Sequence, residues 1–135
     1  MNYNILSMED LGKLILRLGV SALMLPHGYE KLERLLTEGG KAGFADPIGI
    51  GEVPTLVLAI VAELLCPVMI IVGIKTRLAS ILPALTMLVA ALIVHIDDPW
   101  SKMEFPLLYF TGFVAILMIG PGRWSLEHRG TARMR

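Results

Sequence analysis

Arg17, His27, Lys31, Glu63, His95 and Glu104 are ionisable residues that stand within or at the ends of apolar runs. A charge at mid-bilayer costs about 2.5–3.5 kcal/mol on insertion scales, so such side chains turn inward and find partners. Arg17 and Glu63 form the obvious opposite-charge pair, on neighbouring helices and within the hydrocarbon span. The others fall at one end of their runs. Histidine is the side chain whose ordinary titration lies nearest neutral pH, Lys31 is a further donor, and the carboxylates can relay protons. A quinone ring asks for this combination, an apolar slot with a donor or acid near each carbonyl to supply protons as electrons arrive. The residues predict a polar ring of His27, Lys31, His95 and Glu104 at one mouth of a helical bundle, with Glu63 beneath it. Glu63 and His95 are the expected proton-transferring (catalytic) residues; Arg17, His27, Lys31 and Glu104 are the expected binding groups.

Other chemistries fit the same residues less well. Two histidines and a carboxylate are ordinary zinc or iron ligands, but no HxxxH-type spacing supports a metal and Lys31 would repel a cation. A bis-histidine haem between His27 and His95 is geometrically possible but shallow. No motif binds flavin, an iron–sulfur cluster or nicotinamide, and the single cysteine, Cys66, excludes an intrachain disulfide or a CxxC pair. Electrons would have to come from a partner subunit. The alternative is a non-catalytic membrane anchor or assembly protein. In it, Arg17–Glu63 fixes helix register while the histidines and Lys31 cap and snorkel.

The elements that position these groups are helices in lipid. The chain has 135 residues, enough for one domain, and is 55% hydrophobic, against about 45–50% in soluble proteins. Its mean hydropathy is +0.67. A domain this small cannot hide so much apolar surface from water. The net charge is zero, which removes the basic footprint of a nucleic-acid binder. The first ten residues carry no Lys or Arg, so no cleavable leader is expected.

Apolar runs predict spans over about 11–28, 53–74, 78–96 and 105–120, near the roughly 20 residues a crossing needs. "GIKTR", "DDPWSKME" and "GPGRW" supply the joints. The expected fold is all-α, an integral-membrane antiparallel four-helix bundle. "EKLERLLTE", ended by Gly39-Gly40, is expected as an interfacial segment between the first two helices, the alternative being an ordinary extension of the first helix into water. Pro26 predicts a kink or loosening near the end of the first span. Helical periodicity puts Arg17, Ser21, Met24, Gly28 and Lys31 on one face of the first span. It puts Glu63 with Ala59, Cys66 and Ile70 on the second, and His95 with Ala91, Leu88 and Ala84 on the third. On the fourth, Glu104 aligns with Leu108, Thr111, Gly112 and Ala115.

These residues carry a family resemblance. Arg17 followed by "HGYEK", then "AELLCPVMIIVGIKTR", "LIVHI" and the tail "GPGRWSLEHR" resemble the DoxX family of small four-helix bacterial membrane proteins over nearly the whole chain. The resemblance implies the bacterial cytoplasmic membrane and a link to quinone- or thiol-linked oxidoreductase systems. It supplies no agreed catalytic residues. Cys66-Pro67 departs from the small residues that many relatives carry after the glutamate, which predicts a bulkier, kinked site.

Four spans put both termini on one side. That side holds Lys13, Lys75, Arg77, Arg123, Arg129, Arg133 and Arg135, against Lys31, Arg34, Lys41 and Lys102 on the other. By the positive-inside rule the termini are cytoplasmic. A reporter that matures only in the cytoplasm, fused to Arg135, is expected to give signal; a periplasmic readout would reverse the orientation.

Overall fold

The computed structural model describes residues 7–38 and 43–134, all of them in helices or their connections. Gly39-Gly40, Lys41 and Arg135 lie outside the described residues. Helix α1 spans Met8–Glu38, α2 spans Glu52–Val72, α3 spans Thr76–Val94 and α4 spans Trp100–Ile119. A short α5, Leu126–Arg133, comes last. Helices α2, α3 and α4 are long and apolar enough to cross a membrane. α1 packs on α2, α2 on α3, α3 on α4 and α4 on α1. Met24, Cys66, Ile70, Met87, Phe113 and Ile116 meet in the core.

α1 starts where Ser7 Oγ accepts from the Asp10 amide (3.1 Å) and donates to its carboxylate (2.8 Å), a local cap for otherwise orphaned amides. The helix then runs unbroken past Pro26 and Gly28. The separate interfacial segment expected after residue 28 is instead the last third of this helix. Proline costs it one bond, to the Ala22 carbonyl, and Tyr109 Oη donates to the adjacent Leu23 carbonyl at 3.0 Å. α4 begins directly after Pro99, five residues earlier than its apolar run suggests. Polarity in "WSKM" marks an aqueous end, not a break in the helix.

Two helices carry wide π-type turns. One, Val61–Leu65 in α2, immediately precedes Cys66-Pro67, where Pro67 cannot donate to the Glu63 carbonyl. The Cys66 amide reaches back five residues to Val61. The other, Ala90–Val94, ends α3, and the His95 amide reaches Ala90 at 3.0 Å. Each turn rotates the face presented by the residues C-terminal to it.

Arg17 is 1% exposed, and its partner is not Glu63. Nε donates to the Ile70 carbonyl (3.0 Å) and Nη2 to that of Ile71 (2.9 Å). Nη1 donates to Pro121 (2.7 Å) and Trp124 (3.0 Å). The first two are C-terminal carbonyls of α2, which lack intrahelical partners and carry partial negative charge. The others belong to the strap after α4. Gly73, in the left-handed region at φ 81°, turns the chain here, and a Cβ on it would lie 2.8 Å from Arg17 Nη2. The Glu127 amide donates to the Gly73 carbonyl (3.0 Å), and the Glu127 carboxylate accepts from the Thr76 amide (3.1 Å).

At the other half of the α1–α2 contact, Gly28 lies against α2 so closely that a Cβ would sit 2.5 Å from the Glu63 carbonyl oxygen. Such contact needs glycine.

Purified protein unfolded in detergent should show the weight of both contacts. Arg17→Met strands several buried carbonyls and is expected to cost about 3–5 kcal/mol, at about 1–3 kcal/mol for each unsatisfied group, less relaxation. Arg17→Lys recovers little, since an ammonium cannot span four carbonyls. A double-mutant cycle with Glu63→Leu should show coupling below about 0.5 kcal/mol, as for residues without shared partners; strong coupling would restore the Arg17–Glu63 pair. Gly28→Ala should cost about 1–3 kcal/mol by overpacking, and wild-type stability in that variant would show that the two helices separate freely.

Candidate functional site

At the end of the helices remote from Arg17, all four long helices splay around a cleft of about 870 Å³. Its walls are mostly apolar: Met24, Leu58, Leu82, Leu85, Val89 and Phe105 among them. Residues 43–48 fold over its mouth. That segment is tied down by Asp46, whose carboxylate accepts from the Gly51 amide (2.9 Å), the Ile50 amide (3.0 Å) and Thr55 Oγ1 (2.9 Å). These donors, led by the Gly51 amide, hold Asp46 below the usual carboxylate range. The tether places Phe44 at the rim, where the Arg34 guanidinium stands 5.9 Å from its ring centroid.

The floor is an ion pair. Lys31 Nζ donates to Glu63 Oε2 at 2.6 Å, with the Glu63 side chain 4% exposed and that of Lys31 25%. The pairing is set by register. The close contact at Gly28 brings α1 onto the Glu63 backbone, and Lys31 is the next cation along that face. Arg17 lies 14 residues back, roughly 21 Å at 1.5 Å per residue, and is held by carbonyls at the opposite end of α2. Both charges were legible in the sequence; which cation met the carboxylate was decided by the glycine contact.

Two histidines stand on the walls. The exposed His27 packs edge-to-face against Tyr109, centroids 5.9 Å apart at 81°. His95 Nδ1 is 2.6 Å from Asp98 Oδ2, and Lys102 Nζ is 3.9 Å from Asp98 Oδ1. The hydrogen bond from His95 is the main cause holding Asp98 below the usual carboxylate range, with Lys102 adding to it.

The structure therefore gathers His27, Lys31, Glu63 and His95 around one cleft, and leaves Arg17 and Glu104 out of it. Glu104 is exposed and absent from the lining. The face of α4 that meets the cleft runs through Lys102, Phe105, Pro106 and Tyr109, one residue, or about 100°, round from the face expected for Glu104. Because α4 is apolar on most sides, periodicity gave no strong preference among its faces. Asp98 and Tyr109 were missed. Asp98 had a readable signal, since it follows His95 by three residues; Tyr109 had none, because a phenol on an apolar helix also suits a membrane interface. Among the described residues no three His, Cys, Asp or Glu side chains come together as a metal site.

The arrangement can seat a flat polar headgroup among imidazole, phenol and ammonium groups, with apolar walls for an attached chain. A carboxylate–imidazole pair at one wall can hold and deliver a proton.

No curated protein and no solved structure matches the chain. The DoxX family model matches residues 12–96, from the first turns of α1 to the end of α3. This includes Arg17, His27, Lys31, Glu63 and His95 and stops short of the "GPGRWSLEHR" tail. With more than half of its length matched, the chain belongs to the DoxX family.

Proposed function

We propose that the chain is an antiparallel four-helix subunit of the bacterial cytoplasmic membrane, termini inside, whose outward cleft binds a quinone headgroup. In this role it supports a quinone- or thiol-linked oxidoreductase system. α1 serves as the fourth span. Its one deeply buried charge, Arg17, is matched by four carbonyls, which removes the main cost of placing it in lipid.

The observation that carries the proposal is the convergence of His27, Lys31, Glu63 and His95 on one apolar cleft. Its volume falls within the roughly 300–1,000 Å³ of small-molecule sites. A quinone ring fits the donor set, and an isoprenoid tail fits the walls. The residues would hold the ring at its carbonyl oxygens and keep water from its apolar face. When bound, the quinone supplies the two-electron chemistry, and a partner subunit supplies the electrons.

One observation favours the alternative of a non-catalytic anchor or assembly protein. Lys31–Glu63 and the Arg17 cluster are each closed on themselves, as devices that fix helix register would be.

Purified protein separates the two. The quinone proposal predicts isoprenoid quinone in the lipid extract of the wild type, with its ultraviolet absorption. The His27→Gln/His95→Gln double variant should assemble normally and hold less of that quinone, because glutamine keeps the size of the side chain but not the ring nitrogens that would meet the headgroup. Equal quinone in both, or none in the wild type, would return the protein to the anchor role.

A further inference from the structure

The polar groups of the cleft differ in how far they are already engaged. Lys31 and Glu63 satisfy each other at the floor. Among the described residues, His95 is engaged at one nitrogen, Nδ1. The wide turn 90–94 delivers it to the end of α3, its backbone carbonyl accepts the Asp98 amide at 3.1 Å, and Nδ1 meets the Asp98 carboxylate at 2.6 Å. An ionised carboxylate only accepts hydrogen bonds, so Nδ1 carries the hydrogen and Nε2 is the remaining nitrogen. His95 lines the cleft; Asp98 does not. The histidine side chain is 32% exposed and that of Asp98 35%, so the pair stands between the cleft and water. His27, Lys31 and Arg34 on α1, Glu63 on α2 and Tyr109 on α4 line the cleft with His95. Lys102 of α4 lines it too, and its Nζ stands 3.9 Å from Asp98 Oδ1.

We propose that Asp98 is the positioning residue of His95, fixing Nδ1–H so that Nε2 faces the cleft and passes a proton to a quinone carbonyl oxygen. This role rests on the proposed quinone site and adds the atom that carries the proton. The partner's reductant is by class a dithiol. As the quinone takes two electrons, the dithiol closes to a disulfide and releases two protons to water. One carbonyl oxygen takes the Nε2 proton of protonated His95 and the other takes one from water at the mouth. Hydroquinone results, and His95, left as its Nδ1–H tautomer, regains a proton from the aqueous side. A carboxylate that holds an imidazole in one tautomer removes the wrong-tautomer fraction and the cost of reorienting the ring at each turnover.

The same Asp98–His95 bond also closes the α3–α4 turn, so the test needs readouts that turn closure alone would not move. The full chain in lipid nanodiscs, with 15N-labelled histidine, reports the tautomer of neutral His95, and His95→Gln assigns its signal. A hydroquinone carrying one isoprenoid unit, kept anaerobic, is the binding probe, because its O–H donates to a bare Nε2 and not to an Nε2–H. In the wild type the expected signal is Nδ1–H with bare Nε2. Asp98→Ala should mix the tautomers and weaken probe binding about tenfold, the worth of about one oriented hydrogen bond. Asp98→Glu should restore both. If the wild type binds the probe and Asp98→Ala keeps its tautomer and affinity, the quinone site stands and the positioning role is overturned. If Asp98→Ala loses affinity with the tautomer unchanged, the role is likewise overturned. If the wild type does not bind the probe, the quinone site itself fails and the proton transfer with it.

Discussion

A guanidinium buried to 1% exposure holds together three parts of the chain that are distant in sequence. Arg17 ties the third turn of α1 to the last carbonyls of α2 and to the strap after α4. Helix ends leave carbonyls without partners, and in a low-dielectric interior those carbonyls are costly unless something donates to them. A planar cation with five donors can satisfy several at once. Around that centre the other polar residues of this end take their places. Gly73 turns in the left-handed region where a side chain would strike Arg17, and Glu127 accepts from the first amide of α3. Asp10 accepts from the Arg123 amide at 3.2 Å. The residues of "GIKTR" and "GPGRWSLEHR" meet here, so both stretches are architecture at this end.

With one end closed, the opposite end is free to splay, and the contact at Gly28 sets how it does so. α1 touches the backbone of α2 at Glu63, in the stretch where Pro67 and the wide turn disturb regular hydrogen bonding. That contact fixes α1 in register, places Lys31 on Glu63, and leaves the space beyond for a cleft rather than a packed core. Core packing continues below it, through Met24, Cys66 and Phe113. The molecule thus separates its charges by task. The arginine end is held by many internal bonds, while the cleft end places His27, Tyr109 and His95 on the wall of a cavity.

This separation bears on the proposed role, in which a partner supplies electrons while side chains on the helices supply protons, orient a headgroup and exclude water from its ring. Asp46 contributes at a distance by tying the 43–48 segment to the start of α2, which keeps Phe44 and Ile48 in the lining of the cleft.

The sequence by itself determined the solvent and the helices, and named most of the polar residues that meet in the cleft. Apolar content beyond what a small soluble domain can bury demands lipid. Periodicity marked the buried faces of α1 and α2, because polar and small residues there recur at helical spacing among large apolar ones. The clustering of His27, Lys31 and His95 was legible because each sits at the same end of its run, with Glu63 beneath them in the second. Tertiary structure decided the rest. α4 gave no clear face because it is apolar nearly all round, so Tyr109, not Glu104, turned inward. α1 continued through Pro26 because one lost bond is small against a continuous packed face. Above all, Coulomb attraction is not selective between Arg17 and Lys31 as partners for Glu63. The choice fell to a hydrogen atom in place of a side chain at Gly28 and to four carbonyls at the far end, and neither is visible until the helices are packed.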